Sequence, residues 1–156
     1  PYTTLFRSDL APSSLRPRPA GAAVRYHAVH ADKVKRLIVC SGKVYYDLVR
    51  KREEKKSHDV AVIRVEQLYP FPHKAFAAEL KKYPSLAEIV WCQEEPENMG
   101  AWHFVDRRIE RALAGIDVKA KRSVYVGRAE AASPATGSAR THLKEQADLV
   151  DRALTI

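Results

Sequence analysis

The chain predicts an α/β fold of three layers, a mostly parallel sheet with helices on both faces. Three observations carry this expectation. Four short apolar runs rich in β-branched residues recur along the sequence, a stretch of helical periodicity follows each, and Gly, Pro or Ser marks many of the junctions. A length of 156 residues holds one such domain with a real core and leaves little room for a second.

The elements follow in order. Arg36–Cys40 (RLIVC) is the first run and reads as a buried strand. Ser41 and Gly42 turn the chain, and residues 43–55 read as a helix with Tyr45, Leu48 and Val49 on one face. Val60–Val65 is the second strand, broken by YPFP at 69–72. Phe76, Leu80 and Tyr83 then share a helical face, with Pro84 as the stop. Residues 88–92 (EIVWC) form a third strand, followed by a polar loop. Trp102, Val105, Ile109 and Ala112 mark the next helix, 123–126 (SVYV) the fourth strand, and Leu143, Ala147, Val150 and Leu154 the last helix.

The net charge of +8 raises the question of nucleic acid. Its basic residues are scattered, however, and most neighbour acids such as Glu53, Glu54, Asp106 and Glu110, as on a solvated helix face. A clustered basic stripe with exposed aromatics is missing, so no nucleic-acid partner is expected. A basic surface meeting a phosphate-bearing ligand or an acidic partner stays open. No apolar run approaches the roughly 18 residues of a membrane span, and no signal-peptide pattern opens the chain. Cys40 and Cys92 each end an apolar run, which fits two buried thiols in a reducing compartment, the bacterial cytoplasm or the mitochondrial matrix.

Four constellations carry candidate chemistry. In 40–47 (CSGKVYYD), Ser41 can cap the helix and Gly42 allows the turn; alternatively the free N–H groups with Lys43 hold an anion. It is not a Walker loop, which needs four residues between two glycines. In 92–102 (CQEEPENMGAW), Glu94, Glu95 and Glu97 crowd a loop at a strand end, where α/β folds place their sites. Three glutamates without histidine make a poor metal set, and capping or pairing with arginine is the expectation. The small-residue stretch 125–138 (YVGRAEAASPATGS) can let another backbone approach closely. His27 and His30 lack a third ligand nearby, and His58, His73, His103 and His142 are isolated, so no metal site is expected. No catalytic residue is assigned.

The ends differ in character. Residues 1–8 (PYTTLFRS) resemble a translated sequencing-library adapter joined in frame, and 9–32, with Pro12, Pro17, Pro19 and Gly21, read as a linker or disordered segment. The α/β domain is expected to occupy 33–156.

Taken together, CSGKVYYDL at 40–48, HDVAVIRVEQLYPFP at 58–72, VWCQEEPENMGAW at 90–102 and YVGRAEAASPATGS at 125–138 are not generic. In this order and spacing the chain, from about residue 33 to its end, resembles the C-terminal domain of the thiamine-dependent dehydrogenase component of the 2-oxoglutarate dehydrogenase complex. The resemblance implies a transketolase-like C-terminal domain that helps build a homodimer. It implies a parent enzyme that decarboxylates 2-oxoglutarate on thiamine diphosphate and magnesium and passes succinyl to the lipoyl arm of a partner acyltransferase in the tricarboxylic acid cycle. The cofactor belongs to upstream domains, so the fragment alone is expected to bind none and to be inactive.

Some actinobacterial members of that family carry a regulatory acetyl-CoA site near the stretch matching 67–75, built from a Gln and two adjacent Arg. Here Gln67 matches, Lys74 keeps one charge, and Ala75 lacks the second. Gln67, Lys74, Ser41 and Lys43 are therefore the candidate CoA or anion contacts. The rival readings are a free-standing module binding CoA or a nucleotide, and a basic nucleic-acid-binding protein.

Overall fold

The computed structural model describes residues 6–8 and 31–156. After a 3-10 turn at Ala31–Lys33, four strands alternate with four helices. The strands are β2 (Arg36–Cys40), β3 (Val60–Val65), β4 (Glu88–Pro96) and β5 (Ser123–Arg128); the helices are α1 (Val44–Lys55), α2 (His73–Leu80), α3 (Trp102–Leu113) and α4 (Ala139–Leu154). A three-residue strand β1 (Phe6–Ser8) precedes them. The sheet order is β1-β3-β2-β4-β5; β2, β3, β4 and β5 run parallel, and β1 pairs antiparallel with β3.

Side-chain alternation divides the core in two. Leu37, Val39, Ile63, Ile89 and Trp91 face one layer with Phe76, Leu80, Val105 and Ile109 of α2 and α3. Ile38, Cys40, Val62, Val90 and Cys92 face the other, with Leu48, Val49, Leu149 and Leu154 of α1 and α4. A strand covered on both sides must be apolar at every position, which is why all of β2 is buried. Its one polar residue is partnered at all but its buried Nε, which has no hydrogen bond among the described residues. The Arg36 guanidinium lies 2.5 Å from Glu88 Oε2, and its Nη1 donates to the carbonyls of Arg152 and Ala153 at 3.1 and 3.0 Å. The cation thus satisfies acceptors left open at the C-terminal end of α4.

Several expectations are corrected. β4 extends past Cys92 to Pro96, so Glu94 and Glu95 lie on the strand and not in a loop. Helix α2 ends at Leu80, ahead of Pro84; Tyr83 is buried from the tight turn that follows, its N–H donating to Leu80 O at 3.1 Å. Helix α4 buries Leu149, Val150, Ala153 and Leu154, whereas Leu143 is 69% exposed and Ala147 is also exposed. Its first turns overhang the sheet, and only the last two pack. Residues 6–8, expected to stand outside the fold, pair through Phe6, Arg7 and Ser8 with Val65, Arg64 and Ile63. A sheet edge offers unpaired main-chain groups to any extended segment, whatever its side chains. Residues 9–30 of the expected linker lie outside the described residues, while Ala31 and Asp32 belong to the 3-10 turn.

Candidate functional site

The strand order reverses at β2, whose successor β3 lies on one side and β4 on the other. In doubly wound sheets that reversal opens a crevice at the carboxyl ends of the two strands. Here it holds a cleft of about 560 Å³. Ser41, Gly42 and Lys43 wall it after β2, Leu68 and Tyr69 after β3, and Trp91, Gln93, Glu94 and Glu95 on β4; Phe104 of α3 closes the last side. Gly42 turns at φ +74°, a conformation that disfavours residues bearing a Cβ.

Gln93 organises the floor, and sequence reasoning missed it beside the three glutamates. Its side chain is buried, and Oε1 accepts from Trp91 Nε1 at 2.8 Å, Trp102 N at 3.0 Å and Ala101 N at 3.1 Å. Its Nε2 donates to Met99 O at 2.7 Å and Pro96 O at 3.1 Å, with Glu95 O at 3.4 Å. One amide therefore satisfies the first N–H groups of α3, fixes the turn after β4, and holds the core indole. Gly100 (φ +68°) has no room for a side chain, because a Cβ there would stand 2.8 Å from Gln93 Nε2. The available signal was position: a glutamine two residues beyond a core tryptophan points to the same face of the strand.

The neighbouring loop is clamped to this turn. Glu97 N donates to Arg128 O at 3.1 Å, and the Asn98 side chain donates to Ala131 O at 3.0 Å while accepting from Ala131 N at 3.2 Å. The Tyr125 hydroxyl lies 2.8 Å from both Glu95 O and Arg128 O, and its ring meets Trp102 at 5.6 Å. Burial, reinforced by Glu97, pushes this phenol up to about 12.

The candidate residues divide. Ser41 and Lys43 reach the cleft, but Ser41 does not cap α1: Lys43 stands at the N-cap position, and no side chain bonds the first turn. Lys43 pairs with Glu94 within the chain. Gln67 sits on the approach to the cleft, its amide 3.4 Å from Pro70 O, and Lys74 is exposed on α2. Neither lines the cleft. Cys40 and Cys92 are adjacent register partners on β2 and β4, buried and in no disulfide, and burial raises the Cys92 thiol to about 12. His27 and His30 lie outside the described residues. Among those described, no three His, Cys, Asp or Glu side chains come together as a metal site, and no helix is long and apolar enough to cross a membrane.

The cleft thus gathers the Lys43–Glu94 ion pair, the exposed Glu95 carboxylate, the Ser41 hydroxyl and an amide engaged by main chain. The profile of the 2-oxoglutarate dehydrogenase C-terminal family matches residues 20–154. The chain belongs to that family. The sequence is 53% identical over 128 residues to the 2-oxoglutarate dehydrogenase E1 component of Cupriavidus necator, covering 82% of this chain and 13% of that protein. It is 54% identical over 122 residues to the E1 component of Brucella anthropi, covering 78% of this chain and 12% of the relative. The E1 component of Brucella ovis gives the same figures. The chain thus spans about an eighth of the length of the relatives it matches, and this family domain is the part in hand.

Proposed function

We propose that this chain is the carboxy-terminal domain of a 2-oxoglutarate dehydrogenase that decarboxylates 2-oxoglutarate on thiamine diphosphate and transfers succinyl to a lipoyl group. In this reading the domain supports the homodimer and the upstream thiamine-binding domains, works beside a succinyltransferase component, and does no chemistry itself. The observation that carries it is the family match across nearly the whole α/β domain. The two buried cysteines, in no disulfide, fit the reducing bacterial cytoplasm, where we place the parent enzyme.

The cofactor is a poor fit to these residues. A diphosphate-bound magnesium ion is held by carboxylate or amide oxygens set around the phosphates. In the cleft the Glu94 carboxylate is taken by Lys43 and the Gln93 Oε1 already accepts three N–H groups, which leaves Glu95 as the one uncommitted carboxylate, too few to surround a diphosphate-bound ion.

Joining the chain to the upstream domains of a relative tests the reading. The fusion should decarboxylate 2-oxoglutarate, while the 156-residue chain alone should neither do so nor take up thiamine diphosphate with magnesium in calorimetry. Stoichiometric uptake by the chain alone would overturn this division of roles.

A second reading, a small-ligand site in the cleft, draws on its place at the switch point. Acetyl-CoA binding that saturates, and that Lys43→Ala weakens, would support it. No heat on titration would remove it.

A further inference from the structure

Beside the cleft, whose own wall carries Glu94 and Glu95, lies a run of cations with no ion pair among the described residues. Phe104, Arg108 and Arg111 stand at i, i+4 and i+7 on α3 and so form one stripe leading away from the cleft wall. The Arg108 guanidinium stacks over the Phe104 ring at 3.4 Å and bonds the Phe104 carbonyl, which fixes its direction. Helix α2 packs against α3, and its first turn carries His73 and the exposed Lys74. Burial, then the Arg111 and Arg108 charges, hold the His73 imidazole below its ordinary pKa, so the ring is neutral at neutral pH and adds no charge to the stripe. The first turn of α2 contains no acidic residue, and no side chain caps it.

Elsewhere on the helices many cations are mated. Arg50 pairs with Asp47, Lys51 with Glu54, Lys55 with Asp151, Arg107 with Glu110, and Arg122 with Asp106. Arg111 and Lys74 are exposed and carry no ion pair among the described residues. Positive charge is thus left uncompensated along two helices, next to an aromatic-walled cleft.

We propose that this face docks an acidic polypeptide segment, its carboxylates meeting Lys74, Arg108 and Arg111 while one apolar side chain enters the cleft beside Phe104. Spacing favours a polypeptide over a single phosphate. A phosphate is gripped by donors that converge on one point, whereas these cations are spread over the exposed surfaces of two helices. Charges repeated along an extended chain match that spread, and the adjoining cleft gives such a chain an apolar anchor.

Fluorescence anisotropy on the full chain, with a labelled oligo-glutamate peptide bearing one central leucine, tests the proposal. Binding should weaken as salt is added, since exposed charges are screened over about 10 Å at 0.1 M. Lys74→Glu with Arg111→Glu should lower affinity by about tenfold or more, because each reversal replaces attraction with repulsion. Lys119→Glu with Lys121→Glu, a matched reversal of two exposed lysines on the segment after α3, should change it by less than about threefold. Circular dichroism confirms that both double variants fold. Replacing the peptide leucine by serine should weaken binding as well. Equal losses in the two double variants, indifference to the leucine, absence of binding at low salt, or displacement of the peptide by stoichiometric duplex DNA would each overturn the proposal.

Discussion

Replacing Gln93 with leucine isolates what the buried amide does, because leucine fills most of the same space and offers no hydrogen bond. The indole N–H of Trp91 loses its acceptor in a residue that is only 1% exposed. A buried donor left unpaired costs about 1–3 kcal/mol, and a lost bond at a group that water can reach costs nearer 0.5 kcal/mol. The second class holds the N–H groups of Ala101 and Trp102 and the carbonyl of Met99, and the buried carbonyl of Pro96 makes a fourth because it keeps the Met99 N–H at 2.9 Å. With the indole at the middle of its range, the loss comes to about 4 kcal/mol. That is a large fraction of the roughly 5–15 kcal/mol that stabilises an ordinary domain. Urea unfolding followed by tryptophan emission is the assay, since Trp91 and Trp102 both report on this turn. The midpoint should fall steeply while the slope with denaturant stays the same. A loss below about 1 kcal/mol would show that the turn holds itself and that the amide merely fills space.

Two further outcomes follow from close packing and burial. Gly127→Ala should cost about 2–3 kcal/mol, because a Cβ there would stand 2.2 Å from Tyr125 Oη and 2.9 Å from Gln93 O; adding Tyr125→Phe should recover only part, the ring carbon Cζ lying at 2.6 Å, and an unchanged melting temperature in the single variant would refute the contact. The Cys92 thiol is raised from 9.0 to about 12 by burial, so its neutral form favours the folded state; that contribution is complete below pH 9 and disappears as pH rises towards 12. Ellman's reagent should therefore leave both buried thiols untouched near neutral pH until urea is added, and fast reaction of the native chain would contradict their burial.

The layers were legible in the sequence because burial on both faces forces unbroken apolar runs, and RLIVC and VAVIRV are of that kind. Boundaries were harder wherever polar residues did structural work. Glu94 and Glu95 read as loop, yet β4 continues through them because the strand pairs again with β5 at Pro96 and Arg128 after an irregularity. Leu143 read as core from its spacing, but periodicity says only which residues share a face and not how far the helix reaches over the sheet. The cleft was legible as a place and not as a site. Strand ends could be located, whereas the engagement of Gln93 by four elements of the turn depends on a fold that brings residues 91, 96, 99 and 101 around one side chain. Ser41 looked like a cap because its residue type suits one, and the helix simply begins later.

The clasp between Asn98 and Ala131 has a consequence for how this surface can change. The side-chain amide reads only the main chain of Ala131, giving and receiving one hydrogen bond each, while Glu97 N reads Arg128 O three residues earlier. Arg128 is also tied to Glu145 by an ion pair at 3.5 Å, but none of the hydrogen bonds depends on the side chains at 129–131, so those identities are free to drift. The count of residues is not: one added or removed between the two anchor points would carry the second peptide group out of reach. The segment is therefore measured by length rather than by composition, and novelty can enter this rim through substitution but not through insertion.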